Sequence, residues 1–175
     1  MTATDLLVRV ADSGDLPRMA ELFWAARQAA LPQMPPPVHT LEEIVEHYSG
    51  FDLASGDREA WVAEDDGHLV GYAELRGGWL DDLYVAPHAQ GQGIGTVLLE
   101  LVKAHRPAGF ELWVFESNTP ARAFYARHGL VEAERTDGSG NEEGAPDIRM
   151  EWRGERARPA ETDHVVTPPG GHSGA

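Results

Sequence analysis

Residues 79–115 read WLDDLYVAPHAQGQGIGTVLLELVKAHRPAGFELWVF, and the order of patterns in this stretch leaves few folds open. WLDDLYV has the make-up of a strand, and glycines follow at 91, 93 and 95. Ile94, Val97, Leu98, Leu101 and Val102 then recur at helical spacing as far as about His105, and FELWVF resumes a strand at 110–115. A strand, a glycine-rich turn, a helix and a strand in this compass require a crossover, so the two strands run parallel and the connection is right-handed. The glycines stand where the helix begins.

Around this unit the chain supplies strands and amphipathic helices in turn. LLVRVA at 6–11 reads as a strand, and DSGD offers capping side chains for a helix that starts near Asp15. Its apolar stripe is Leu16, Met19, Ala20, Phe23 and Trp24. PQMPPPVH at 32–39 ends that helix with four prolines, and Thr40 with Glu43 has capping-box spacing for a short helix ending near Tyr48. AWVAE and HLVGYAELR form a hairpin across DDG, and Gly77 and Gly78 turn the chain into WLDDLYV. Beyond FELWVF, Ser117 or Thr119 is expected to cap a further helix with Ala121, Phe124, Tyr125 and His128 on one face and Gly129 as its stop. LVEAERT and DIRMEWR pair last, around DGSGNEEGAP.

The chain's 175 residues, 42% of them hydrophobic, suit a single domain, here bounded at 1–153. The segment 154–175, rich in Pro, Gly and charge, is expected to be a disordered tail. Without cysteine there is no disulfide, thiolate metal site or sulfur nucleophile. The histidines follow no ligand spacing, so no metal is expected, and no G-x-S-x-G elbow occurs. A net charge of −15 repels phosphate backbones and anionic lipid, which argues against nucleic acid and membrane as partners. With no secretory pattern at the amino terminus and no apolar run of the ~20 residues that span a bilayer, a cytoplasmic protein is expected.

A helix start leaves its first amides unpaired under a partial positive charge, and an acidic side chain usually answers it. Residues 90–97 contain none, the next acid being Glu100, and glycines there would let an outside anion approach the main chain. A pyrophosphate suits such a turn. A dinucleotide fingerprint wants glycine where Thr96 stands, and a P-loop wants Gly-Lys-Ser/Thr, which is absent.

Gln90-Gly91-Gln92-Gly93-Ile94-Gly95, preceded by LYVAP, resembles the Q/R-x-x-G-x-G/A signature of GNAT-superfamily N-acetyltransferases. Asn118, Ala121, Phe124, Tyr125, Gly129 and Leu130 resemble that family's N-x-x-A-x-x-F-Y-x-x-x-G-F segment, with Leu130 in place of its last aromatic. The likeness implies an α/β (α+β) fold: a twisted, mostly antiparallel sheet of six or seven strands with a central parallel pair and about four helices on both faces. It also implies acetyl-CoA as co-substrate. The pyrophosphate would lie on Gln90, Gly91, Gln92, Gly93, Ile94, Gly95 and Thr96. Pantetheine would pair with the backbone of Leu83, Tyr84 and Val85 between two strands splayed at a bulge, with Asn118, Phe124 and Tyr125 as further contacts.

Acyl transfer to an amine needs a proton for the departing thiolate, a place for the amine's proton and a stabilised oxyanion. Tyr125 corresponds to the family's general acid. Asp81 and Asp82 are the candidates for the base. Alternation sets them on opposite faces, but a bulge in the strand would break the parity, so the sequence does not choose. The oxyanion would be met by a backbone N–H of LYV. Lys103, Arg106, Arg122 and Arg127 are available for a 3′-phosphate. In this kind of enzyme the acceptor pocket lies between the first helical connection and the last hairpin. There Glu42, Glu43, Asp137, Glu142 and Glu143 could attract a small-molecule or peptide amine, with Trp24, Met34 and Trp79 as core or pocket wall. A homodimer is compatible with this reading, and a non-catalytic acyl-CoA sensor is its alternative.

Overall fold

The computed structural model describes residues 6–154. They form one seven-stranded sheet in the order β1-β2-β3-β4-β5-β7-β6. The strands are β1 (Leu7–Val10), β2 (Arg58–Asp65), β3 (His68–Arg76), β4 (Trp79–Val85), β5 (Phe110–Phe115), β6 (Val131–Arg135) and β7 (Asp147–Trp152), and the helices are α1 (Leu16–Ala29), α2 (Leu41–Ser49), α3 (Ile94–His105) and α4 (Thr119–Arg127). Every pairing is antiparallel except β4 with β5, as the crossover between them requires. The outer part of the expected tail, 155–175, lies outside the described residues.

Alternation along β3 shows how the helices divide between the two faces. A side chain at Gly71 would meet Ile94 Cγ2 at 3.0 Å and Leu98 Cδ1 at 3.2 Å, so this glycine lets α3 close onto the sheet. The next residue, Tyr72, points the other way, its hydroxyl 2.8 Å from that of Tyr48 on α2. Phe23 of α1 packs edge-on against Tyr84 of β4 on that same face. Met19, Val62, Tyr72, Leu75, Leu98 and Leu99 fill the core on the two sides of this sheet half.

Local chemistry differs from the sequence reading at two helix starts. Asp15 does not cap α1, because its carboxylate is held 2.7 Å and 2.8 Å from the two Nη atoms of Arg9 and accepts from the Asp12 amide at 2.9 Å. Neither Ser117 nor Thr119 caps α4. Asn118 does, accepting from the Ala121 amide at 3.3 Å, while the Ser117 hydroxyl donates to the Gln33 carbonyl at 2.7 Å. The capping box of α2 forms as its spacing predicts, Thr40 N donating to Glu43 at 2.7 Å and Glu43 N to Thr40 Oγ1 at 3.3 Å.

Two irregularities in β4 create the site. Glu74 faces Asp82 and Leu75 faces Leu80, which leaves Asp81 as an extra residue in a bulge. The parallel pairing of β4 with β5 has one rung, Trp79 opposite Glu111, with the Glu111 amide donating to the Gly78 carbonyl at 3.0 Å. Past that rung the two strands part.

Candidate active site

The parted strands open into two joined cavities of about 620 and 700 Å³, which share Met34, Leu83, Tyr84, Asn118, Ala121 and Tyr125 as a common wall. The larger extends to the turn before α3, where Gln90, Gly91, Gly93, Ile94, Gly95 and Thr96 line it. Val85 and Phe124 line it too. Gln92 is not on that wall, and its side-chain amide donates instead to the His88 carbonyl at 3.3 Å.

The glycines do different jobs from one another. Gly91 and Gly93 have φ of +77° and +87°, the left-handed region, and a Cβ on either would meet nothing within 4 Å. Within the protein itself they are needed for backbone conformation. Gly95 has ordinary helical geometry, and a Cβ there would stand 3.5 Å from the Phe124 ring, in simple contact. Gly93 is the N-cap of α3, no side chain caps the turn, and its first turn holds no acid. Its amides therefore open into the cavity under the positive end of the helix. Of the basic residues considered, Lys103 is bound to Glu100 and the His128 carbonyl, Arg106 to Glu59 and Arg122 to Glu132. Arg127 alone of these four lines the cavity that holds the turn.

Tyr125 is buried on α4, and among the described residues its hydroxyl has no hydrogen-bond partner. Burial first, then the charges of Tyr84 and Asp82, hold this phenol well above its usual range, so it stays protonated. It faces both cavities.

The bulge sends the two aspartates to different places. Asp81 lines the cleft, its carboxylate 2.8 Å from Arg76 Nε. Asp82 turns toward α2, where the Tyr48 hydroxyl donates to it at 2.6 Å and the Tyr72 hydroxyl lies 3.2 Å away. Burial pushes the Asp82 carboxyl up, against the opposing effect of the two tyrosine donors. Its cross-strand neighbour Glu74 is almost wholly buried beside Arg58, and burial, then the Asp82 charge, pushes it up to about 7. No sequence pattern marked Tyr48 or Tyr72. The alternation that places Tyr72, Glu74, Asp82 and Tyr84 on one face could have.

On the same face, the 32–39 connection meets the β6–β7 hairpin. Arg27 Nη2 donates to Glu143 at 3.0 Å and to the Pro35 carbonyl at 3.2 Å, and His39 lies 2.9 Å from Glu142. A cavity of about 470 Å³ between these segments is lined by Phe23, Tyr48, Glu43, Glu142 and Glu143. These acids are already engaged, Glu43 in the capping box and Glu142 with His39, whose imidazole that carboxylate pushes up. Asp137 accepts from the Ser139 amide at 2.9 Å. Met34 is buried in the common wall, Trp24 packs on the core, and Trp79 stacks on Trp113.

Residues 16–130 match the acetyltransferase (GNAT) family. The peptidyl-lysine N-acetyltransferase YiaC of Escherichia coli is 35% identical over 80 residues, 45% of this chain and 54% of that protein. An uncharacterized N-acetyltransferase of Archaeoglobus fulgidus is 32% identical over 120 residues, 59% of this chain and 80% of its own. The chain thus spans about half the length of the first of these relatives. Among solved structures, PaiA N-acetyltransferase from Thermoplasma acidophilum in complex with coenzyme A has a TM-score of 0.65 at 24% identity, covering 85% of this chain and 99% of that one. YncA from Salmonella typhimurium with acetyl-CoA has a TM-score of 0.64 at 18% identity, over 86% and 94%. At these identities the structural likeness is one of fold.

Proposed function

The chain belongs to the acetyltransferase (GNAT) family, and on that premise we propose that it is an N-acetyltransferase moving an acetyl group from acetyl-CoA directly to a primary amine within a ternary complex. One observation carries the reading: past a single rung, β4 and β5 part into a cavity that joins an uncapped helix-start turn to a buried tyrosine. Each part suits one portion of the donor. The diphosphate is held by the amides of 90–96, with Arg127 as its nearest cationic support. Pantetheine pairs with the backbone of Leu83, Tyr84 and Val85, which the parting leaves without a β5 partner. Asn118 and Phe124 wall its path.

Attack and departure follow from the same geometry. The neutral amine adds to the thioester carbonyl, and a backbone N–H of residues 83–85 meets the developing oxyanion. The tetrahedral adduct collapses with cleavage of the carbon–sulfur bond, and Tyr125 gives its proton to the departing thiolate. A phenol kept protonated by burial has its proton to give when the thiolate forms, and the transfer moves the negative charge from sulfur to the phenol oxygen. Asp81 receives the amine's proton, directly or through one water, because it is the aspartate that lines the cleft. Asp82 stays with its tyrosines and shapes the field around Tyr84 and Tyr125.

No described helix is long and apolar enough to cross a membrane, and the proposal sets the reaction in the cytoplasm. The test is incubation with acetyl-CoA and a mixed amine panel, read by mass spectrometry and by release of CoA thiol. Acetylated product with stoichiometric thiol is expected. Tight acetyl-CoA binding by calorimetry with no product from any amine would instead establish the sensor reading.

A further inference from the structure

β5 exposes one large aromatic that its fold does not require. Phe110, Leu112 and Val114 are buried, and the alternation turns Trp113 outward, 44% exposed. Its ring stacks on that of Trp79, centroids 6.3 Å apart and planes 5° from parallel. Trp79 belongs to the last rung before the strands part, so the stacked pair marks the closed end of the cleft. Trp113 lines that cleft beside Asp81, Tyr84 and Phe115. The indole is thus half-exposed inside the cleft and not on an open outer surface, with its polar edge and apolar face both open to a ligand there.

The direction of β4 fixes what would come to lie there. It runs from the rung toward the turn before α3, so a donor anchored by its diphosphate at the turn reaches its thioester back toward Trp113. This step rests on the acetyl-transfer reading above. We propose that Trp113 is the specificity-determining platform of the acceptor side, taking across its ring face a primary ammonium on an unbranched alkyl chain, as in a lysine side chain, next to Asp81.

Three features point to that chemistry. The ring face attracts a cation, and an unbranched chain can lie flat along the indole. Asp81, held by Arg76 through Oδ2, presents its other oxygen to the same cleft, and a chain of net charge −15 draws cations toward it. The arginines paired across the strands from the two indoles are already committed: Arg149, opposite Trp113, to Glu111 and Glu134, and Arg76, opposite Trp79, to Asp81. The ring is thus available to a cation from outside.

The test compares the wild type with Trp113→Phe and Trp113→Ala, using Nα-acetyl-lysine amide as acceptor and Nα-acetyl-norleucine amide as its neutral counterpart. Trp113→Ala should raise the amine KM about tenfold and Trp113→Phe about threefold, while acetyl-CoA affinity by calorimetry stays within about twofold. An unchanged amine KM in Trp113→Ala overturns the proposal. A second arm needs no turnover: the lysine compound should quench indole fluorescence of the CoA-loaded wild type, with the Trp113→Phe protein losing that response and the norleucine compound giving none. Equal response to both compounds overturns the ammonium assignment. If ultracentrifugation finds a dimer that Trp113→Ala dissolves with the amine KM unmoved, the ring serves self-association and the proposal fails. Absence of acetylated product from any amine would sink the transferase reading instead, and the fluorescence arm would still decide whether the platform binds ammonium.

Discussion

The donor side and the acceptor side of the cleft are built in opposite ways. The donor side's main-chain part is local, a strand end, a turn held by two left-handed glycines and the first turn of α3, all within residues 83–96, with α1 and α4 adding side-chain walls. The acceptor side is assembled from distant parts, with Arg27 holding Glu143 across 116 positions and His39 meeting Glu142 across 103. A donor common to a family can be met by main chain in a continuous motif. An acceptor must be met by side chains that tertiary packing brings together, and that is where relatives can differ. The comparison predicts that donor-side changes act through backbone geometry and acceptor-side changes through long-range contacts.

The largest effect should fall where the two sides meet. Tyr125→Phe keeps the packing and removes the proton, so kcat should fall about 10²-fold or more with acetyl-CoA affinity unchanged in calorimetry. Turnover near that of the wild type would take Tyr125 out of the mechanism and leave it as a wall residue.

What the sequence made legible follows the same division. The strand, glycine turn, helix and strand of 79–115 could be read because periodicity and turn chemistry act over a few residues. Periodicity alone could not say which of Gly91, Gly93 and Gly95 served conformation and which lay in simple contact, since φ is not written in composition. Asp81 and Asp82 were undecidable for a related reason. A one-residue bulge inverts the facing of everything beyond it, and its position depends on β3, not on β4 alone. The helix caps misread at Asp15 and Ser117 have a common cause: each side chain had a stronger tertiary partner than its own helix, Arg9 for one and the Gln33 carbonyl for the other. Trp113 was invisible as a site residue because an outward strand position looks the same whether it faces solvent or substrate.

The acceptor face should also show in stability against pH. Glu74 has a folded pKa near 7, above its ordinary 4.5, so the folded protein binds its proton more tightly than the unfolded chain does. That contribution is fully present below about pH 4.5 and is lost as pH rises through 7. Urea unfolding of the wild type should therefore lose on the order of 1–3 kcal/mol between pH 5 and pH 8 that Glu74→Gln does not lose. Parallel pH profiles for the two proteins would mean that Arg58 fully compensates the buried charge. The donor side holds no comparable group, since its turn contains no acid.

A backbone effect comes next in size. Gly93→Ala places a Cβ at φ +87°, where an L-residue pays about 1 kcal/mol, and the turn can relieve this only by rotating its amides out of the cavity. Acetyl-CoA affinity should weaken roughly tenfold, with the amine KM hardly moved. Gly95→Ala is the control, because its added methyl meets the Phe124 ring at ordinary contact distance and leaves φ as it is. Equal losses from the two substitutions would show that space, not conformation, is what these glycines supply.

The smallest effect tests the acceptor side's long reach. Glu143→Gln keeps the shape of the hairpin and removes one charge from its contact with Arg27, which is itself buried, with Nε unpartnered among the described residues. A buried guanidinium that loses its anion is left undercompensated, so the 32–39 connection and the hairpin should loosen against each other by about 1 kcal/mol or less, the carboxamide oxygen still accepting a hydrogen bond. Both segments border the acceptor cavity, and only Gln33 and Met34 at the start of the connection reach the donor cavity, away from its turn, so the amine KM should rise two- to fivefold while acetyl-CoA affinity holds. A matching loss in donor affinity would show that the two sides share one rigid frame, and the division between local donor recognition and assembled acceptor recognition would have to be abandoned.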